Sequence, residues 1–144
     1  MRVDGQWVHF DDGGVRPVVR GDAIAYDGTA VEIVFLVDTG SDGSVFSKDI
    51  LDALGYEALP SSEQLVGVGG YVNVVEVQTI IRLVQDDGRL AAFRGRYKAV
   101  TDALALDISI LGRDILAYFA LIVDQAGDTL CLLRTNHHYV VTAI

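Results

Sequence analysis

One aspartate stands where a carboxylate could do chemistry. Asp38 directly follows Val31–Val37, an almost wholly apolar run that predicts a strand buried on both faces. A charged group at the end of such a strand is costly unless it is paired or hydrogen-bonded. Thr39 offers a hydroxyl that can bond backbone across an interface, and Gly40 lets the backbone turn sharply beside another chain. The segment predicts a functional carboxylate, with an ordinary Asx-type turn as the alternative.

Two further motifs follow in the chain. The glycine-rich segment Gly67–Val74 lies between strand-like runs and predicts a hairpin with a flexible tip. In Ile110–Leu116, Gly112 separates a short strand from a helix that is predicted to start at Arg113. Taken alone, the first is most simply a plain hairpin. The second is most simply a solvated helix start, with Asp114 favourable near the N-terminus.

In this order, the three motifs resemble the active-site loop, the flap and the strand-Gly-Arg-Asp-helix segment of the retropepsins and their cellular relatives. The resemblance covers roughly residues 15 to 133. It is closer to the cellular and bacterial single-domain members than to the viral enzymes, because the chain continues well beyond Gly112. It implies a mainly β fold: a single-domain closed β-barrel with one or two short helices and a glycine-rich flap hairpin.

The resemblance also implies a homodimeric aspartic endopeptidase. The chain contains one Asp-(Thr/Ser)-Gly, and a peptidase of this family needs two such carboxylates, so the second is expected from another subunit across a two-fold axis. The two carboxylates would share one proton. The ionised one would activate a water that attacks the peptide carbonyl, and the protonated one would bond to the carbonyl oxygen. Neither a cofactor nor a metal is implied.

The resemblance assigns roles to residues other than the catalytic Asp38. The implied set comprises loop-supporting Thr39, Gly40, Asp42 and Arg113, flap and substrate-binding Val66, Gly67, Val68 and Gly69, and the apolar-subsite residues Ile108 and Ile110. Within it, Asp42 and Arg113 are expected to form an ion pair, and Val68 to lie at the flap tip. The expected partners are a second copy of the chain and a peptide or unfolded protein, cut beside hydrophobic residues.

A second function remains open on this fold. The chain could be a catalytically idle dimerisation or peptide-binding module, since a fold does not guarantee its chemistry. The intact Asp-Thr-Gly argues against that, because a binding module has no use for paired buried carboxylates. A calcium loop over 38–49 is rejected, since Gly40 would occupy its third position and a strand precedes it. No metal is expected at His9, His137 or His138, which lack partners at metal-ligand spacing.

Composition narrows the class of protein. The formal net charge of −9 argues against a nucleic-acid partner, because a phosphate backbone would be repelled. The longest strongly apolar stretch, Ile115–Val123, is far shorter than the roughly 20 residues of a membrane span, so no membrane partner is expected. The polar first residues do not resemble a signal peptide, which predicts a cytoplasmic protein by default. Cys131, the single cysteine, lies in an apolar run and is predicted to be buried and inert.

The elements that must position these motifs are short strands joined by tight turns. Hydrophobic alternation and turn residues predict strands near 7–10, 15–26, 30–37, 76–84, 90–100 and 107–111, hairpins over 64–77 and 121–133, and helices at Lys48–Leu54 and Arg113–Phe119. The length suits one domain over 1–144. Within it, 1–14 is expected to be an extension or edge strand and 120–144 a C-terminal hairpin and tail.

Overall fold

The computed structural model of the chain describes residues 1–57, 59–67, 69–134, 140, 142 and 143, with the backbone alone for 59–63 and 67. This part of the chain is mainly β, as predicted. Its elements are β1 (Arg2–Asp4), β2 (Gln6–His9), β3 (Val15–Ile24), β4 (Ala30–Val37), β5 (Val45–Phe46), α1 (Lys48–Leu54), β6 (Leu59–Gly67), β7 (Gly70–Val84), β8 (Leu90–Val100), β9 (Ser109–Leu111), α2 (Arg113–Leu116), β10 (Phe119–Asp124) and β11 (Thr129–Arg134).

The larger sheet closes on itself. Its strand order is β2-β3-β4-β9-β5-β8-β7-β6, and β3 also pairs with β7. Strands β3, β4, β9, β5, β8 and β7 therefore form a ring. The pairs β4–β9 and β5–β8 are parallel, whereas the other pairs are antiparallel. A second sheet has the order β1-β11-β10.

A close approach of two backbones completes the ring between β3 and β7. A Cβ on Gly21 would lie 2.4 Å from the carbonyl oxygen of Arg82, so only glycine fits there without displacing the backbone. The neighbouring pair in the register is Asp22 with Arg82, whose guanidinium donates two hydrogen bonds, of 2.6 and 2.8 Å, to the carboxylate. This bidentate contact fixes the register of the closing pair.

The core lies inside the ring and follows the alternation of the strands. On β4, Ile33, Phe35 and Val37 are buried, whereas the residues between them are half-buried. The Phe46 ring from β5 lies 6.5 Å from that of Phe35 and 5.9 Å from that of Tyr97. Full burial of an aromatic or aliphatic side chain contributes about 1.5–3 kcal/mol. The strand that carries the candidate carboxylate is thus anchored by its inner face, and its other face is less buried than predicted.

Helix α1 has the predicted bounds, and Gly55 ends it with φ 68°, a left-handed conformation that glycine adopts readily. Ser47 precedes it in an extended conformation but makes no side-chain capping hydrogen bond. Helix α2 ends at Leu116, three residues before the predicted Phe119. Phe119 instead opens β10, where it pairs with Arg134 of β11. The residues predicted to form the last turn of the helix therefore lead into β10 instead, because Phe119 pairs with β11.

The first fourteen residues form strands of both sheets. β1 pairs with β11, and β2 is the edge strand that pairs with β3. Val3, in the middle of β1, is almost completely buried, which explains why so short a polar segment is ordered. The C-terminal hairpin is present as predicted, and residues 135–139, 141 and 144 of the predicted tail lie outside the described residues. None of the helices in the described ranges is long and apolar enough to cross a membrane.

Candidate active site

Asp38 lies immediately after β4, where the neighbouring strand β9 fixes its backbone. Its N–H donates to the carbonyl oxygen of Leu111 at 3.1 Å. Its carboxylate oxygen Oδ1 accepts the N–H of Gly40 at 2.9 Å, so the loop has the geometry of an Asx turn. The Asp38 residue is half-buried, and Thr39 and Gly40 are exposed. The turn that was the alternative to a functional site is therefore part of the local geometry and orients the carboxylate.

The start of α2 supports this loop. The N–H of Arg113 donates to the carbonyl oxygen of Ser41 at 2.9 Å, and that of Asp114 to the carbonyl oxygen of Asp42 at 3.1 Å. The Arg113 guanidinium donates to the carbonyl oxygen of Thr39 at 2.8 Å and forms an ion pair with the Asp42 carboxylate. The predicted ion pair is confirmed. Because both side chains are exposed, its contribution to the stability of a single chain is small.

A buried hydroxyl that the sequence analysis missed joins the same two segments. Ser44 donates from its N–H to Asp114 Oδ2 at 3.0 Å and from Oγ to Asp114 Oδ1 at 2.7 Å. Its Oγ accepts the N–H of Gly112 at 3.0 Å. Ser44 is only 2% exposed, so these bonds satisfy a hydroxyl that would otherwise be costly to bury. The available signal was a serine placed directly before the apolar pair of β5.

Gly112 is required by a contact rather than by its conformation. A Cβ at this position would lie 2.4 Å from both the carbonyl carbon and the carbonyl oxygen of Gly43. The backbone of Gly112 is extended, with φ −99° and ψ −176°, which most residues adopt. The loop that follows Asp38 and the start of α2 therefore contact each other directly through their backbones, and this contact sets the distance between them.

Asp38 lines an open cleft of about 290 Å³. The other lining residues are mostly apolar: Gly40, Ser41, Val45, Leu65, Val66, Val72, Val100, Ala105, Leu106 and Ile110. Leu65 and Val72 are cross-strand neighbours in the hairpin formed by β6 and β7. A carboxylate at the base of an apolar cleft, with a hairpin as one wall, is an arrangement that can hold an extended peptide beside an acid or base.

Solved structures with the same architecture include aspartic proteases. A retropepsin-like aspartic protease from Rickettsia conorii matches with a TM-score of 0.62 and 21% identity, over 92% of this chain and 98% of that chain. The EIAV protease complexed with the inhibitor HBY-793 matches with a TM-score of 0.50 and 26% identity, over 76% and 92% respectively. The chain has the retropepsin-like fold. A scan of protein-family models and a search of curated proteins find no match.

The resemblance drawn from three short motifs is thus confirmed at the level of the retropepsin-like fold. The bacterial protein matches a larger share of this chain than the viral one does. Both comparisons concern the fold, and the roles of individual residues rest on the geometry of this chain.

The segment predicted to be a flap forms the hairpin of β6 and β7. Gly67 of β6 faces Gly70 of β7, and the register continues through the pair Val66 with Tyr71. Gly70 has φ 106°, a conformation that favours glycine at the turn. Of the four predicted flap residues, Val66 lines the cleft, Gly69 is an exposed turn residue, and Val68 lies outside the described residues.

The two predicted subsite residues lie in different places. Ile110 lines the cleft with Asp38. Ile108 is 8% exposed and instead lines a separate depression of about 410 Å³, together with Val8 and Phe10. The prediction took both residues from the family resemblance. In this chain β9 begins only at Ser109, so Ile108 belongs to the preceding loop and Ile110 to the strand.

The described residues include side chains of metal-ligating types and a thiol. The described part of the chain contains no group of three or more His, Cys, Asp or Glu side chains that could hold a metal ion. Cys131 is 7% exposed on β11, and burial raises the pKa of its thiol. A thiol that stays protonated is a poor nucleophile, which agrees with the prediction that Cys131 is an inert core residue.

Proposed function

We propose that the chain is one half of a homodimeric aspartic endopeptidase and that each subunit contributes Asp38. The observation that carries the proposal is that the Asp38 carboxylate lines a mostly apolar cleft and has few hydrogen-bond partners there. Within the described residues it accepts one hydrogen bond, from the N–H of Gly40. Its second oxygen is therefore available to a water or to another carboxylate, as general acid–base catalysis requires.

A second copy of the chain would supply the second carboxylate. The sequence has one Asp-Thr-Gly, and the loop that bears it presents Thr39, Gly40 and Asp42 on the surface of the single chain. An isologous contact across a two-fold axis would bring the two Asp38 side chains together. Because like charges at close range cannot both ionise readily, the pair would hold one proton.

That shared proton divides the roles of the two carboxylates. The ionised Asp38 would take a proton from a water between the two side chains, and the water would attack the peptide carbonyl carbon. The protonated Asp38 would donate a hydrogen bond to the carbonyl oxygen as it becomes tetrahedral. A proton would then pass to the leaving nitrogen. The step needs no covalent intermediate.

The cleft lining indicates the substrate class. Val45, Leu106 and Ile110 offer apolar contact area, and β6 and β7 lie along the opposite side as a hairpin whose backbone could bond an extended peptide. The substrate would therefore be an unstructured peptide or unfolded protein with hydrophobic residues beside the cut bond.

The first test is cleavage of an unstructured peptide library between about pH 4 and about pH 7, where a shared-proton pair can work. The wild type should cut beside apolar residues, and Asp38→Asn should lose at least about 100-fold in rate, the range of general acid–base catalysis. Asp87→Asn is a matched control, because Asp87 is in the turn between β7 and β8 and does not line the cleft. A silent wild type that still forms dimers and binds the peptides would favour the idle binding module.

Mixing subunits tests the dimer. If both carboxylates are needed, an equal mixture of exchanged wild-type and Asp38→Asn chains should retain about one quarter of the wild-type rate, because only that fraction of dimers pairs two wild-type chains. Independently active chains would instead retain about one half. Light scattering on the same samples gives the oligomeric state, and a monomer that cleaves peptides would refute the shared site.

A further inference from the structure

One wall of the cleft is formed by a loop that connects two strands. Residues 101–108 connect β8 to β9, and Ala105 and Leu106 from this loop line the cleft with Asp38. The hydrogen bonds within the loop are local: Asp102 accepts the N–H of Leu104 on its side chain at 2.9 Å and that of Ala105 on its carbonyl oxygen at 3.1 Å. These bonds shape the turn, while Ala105 and Leu106 pack against the apolar cluster that contains Val74 and Val100.

A polar attachment of the loop comes from a residue near the start of β3. Arg16 donates from Nη1 to Asp107 Oδ2 at 2.9 Å and from Nη2 to Asp12 Oδ2 at 2.9 Å. The guanidinium carbon lies 4.5 Å from the centre of the Phe10 ring, a cation–π contact. Arg16 is 25% exposed, so the two carboxylates and the ring hold most of its side chain. The planar fork of an arginine holds two carboxylates in a fixed geometry, which the compact charge of a lysine on its flexible stem does not provide.

The residue after Asp107 packs near Phe10, the ring that Arg16 also contacts. Ile108 is buried in the depression that Phe10 also lines. The loop is thus held at two consecutive positions, by an ion pair at Asp107 and by an apolar contact surface at Ile108. Ala105 and Leu106 immediately precede these positions, so the ion pair and the buried Ile108 act beside the apolar packing that these two residues make themselves.

We propose that Arg16 is a positioning residue that acts through Asp107 to fix the apolar wall of the substrate cleft. The inference rests on the proposed peptidase function for its consequence but not for its geometry. A wall held in place before the peptide arrives removes an ordering cost from binding. Peptides that place a large apolar residue against Ala105 and Leu106 should depend on Arg16, whereas peptides with a small residue there should not.

Whether Arg16 and Asp107 hold the loop in place can be tested without measuring peptidase activity. Asp107→Asn keeps the shape of the side chain and removes its charge, and it leaves the contact of Arg16 with Asp12 in place. Hydrogen exchange at the amides of Leu104 and Ala105 should accelerate about 2- to 5-fold, the range expected for loss of one exposed ion pair. Arg16→Gln should do the same, and the double variant should add little to either. Unchanged exchange in both single variants would overturn the proposal.

Asp87→Asn is the matched control for charge, because Asp87 forms an exposed ion pair with Arg89 away from the cleft. It should leave exchange at Leu104 and Ala105 unchanged. If it accelerates exchange there as much as Asp107→Asn does, the effect is one of general stability and the proposal fails. Urea unfolding of each variant supplies the global stability against which the local exchange is compared.

The functional part is tested with two peptides that differ only in one residue beside the cut, a leucine or an alanine. For the leucine peptide, Asp107→Asn should raise KM about 2- to 5-fold and leave kcat within about 2-fold. For the alanine peptide, KM should not change. Equal losses with both peptides would overturn the specificity role. If the wild type cleaves neither peptide, the proposed function fails, while the exchange data still decide whether Arg16 orders the loop.

Discussion

The contact between Gly112 and Gly43 gives the most direct test of how the Asp38 loop is held. In Gly112→Ala the new methyl carbon would lie 2.4 Å from the carbonyl carbon and oxygen of Gly43, whereas ordinary contacts begin at 3.4 Å. The two backbones must therefore separate by about 1 Å, the difference between these distances. Backbone conformation adds nothing to the penalty, since φ is −99° and ψ is −176°.

The expected magnitude combines two opposing effects. Overpacking a well-packed site costs about 1–3 kcal/mol. Replacing glycine by alanine also restricts the unfolded chain, which stabilises by about 0.4–1 kcal/mol. The net loss in free energy of unfolding should be about 1–2 kcal/mol. For a chain of this length, that lowers Tm by about 3–7 °C. Urea and thermal unfolding at one fixed protein concentration measure it, because dimerisation would make Tm concentration-dependent.

Gly43→Ala is the matched control, made on the other side of the same contact. Its Cβ would first meet Asp114 Oδ2 at 3.9 Å, and the φ of Gly43 is not in the left-handed region. This variant should be neutral or slightly stabilised. Because the displaced loop carries Asp38, Gly112→Ala should also lower kcat, and Gly43→Ala should not. Equal stability of Gly112→Ala and the wild type would refute the close backbone contact.

Two further predictions concern titrating and reactive groups. The thiol of Cys131, buried and with a raised pKa, should react with a thiol reagent much more slowly in the native protein than in urea, and equal rates would contradict its burial. Turn hydrogen bonds hold the pKa values of Asp12, Asp27 and Asp87 below the ordinary 3.8. Their stabilisation is fully present above that pH and is lost as the pH falls through the lowered values. Tm measured from about pH 6 to about pH 2.5 should therefore fall at the acid end, and less so in Asp27→Asn; an identical acid limb in that variant would contradict the assignment.

Features fixed by neighbouring residues were predictable from the sequence. The pair Asp27-Gly28 predicts a hairpin turn, and Gly28 indeed has φ 86° between β3 and β4. Asp87-Gly88 does the same between β7 and β8, with φ 83° at the glycine. Helix α1 ends where its glycine predicts. In each case the required conformation favours glycine, so the signal is carried by the residue itself.

Features fixed by distant contacts were not predictable from local patterns. Strand β5 has two residues, too few to show alternation, and exists because it pairs with both β8 and β9. The strand over 70–84 is continuous, although the glycine-rich pattern and the next apolar run predicted two separate strands. The ion pair between Arg16 and Asp107 joins residues 91 positions apart. Such contacts depend on which strands become neighbours in the ring.

The candidate site likewise has features that local sequence patterns predicted and features that they did not. The Asp-Thr-Gly loop and the Gly-Arg-Asp segment were recognised as motifs, and their ion pair is present. The cleft walls were recognised only in part. Leu65 and Val72 follow from the register around the β6–β7 turn and could have been found from it. Ala105 and Leu106 could not, because a connecting loop has no periodicity that assigns its residues to a face.

The pairing of β7 changes along its length. From Val74 to Val84 it pairs with β8, whereas the described pairs of Gly70–Asn73 are with β6 alone. The end of the β6–β7 hairpin is therefore a two-stranded ribbon rooted in the ring at Val74, and a ribbon of this kind is only marginally stable by itself. Lifting it would remove the packing of Leu65 and Val72 against the cluster that contains Val74, but would break none of the pairs that close the ring. Access to the cleft and resistance to unfolding are thus thermodynamically separate properties of this chain, and substitutions in the ribbon can alter one without changing the other.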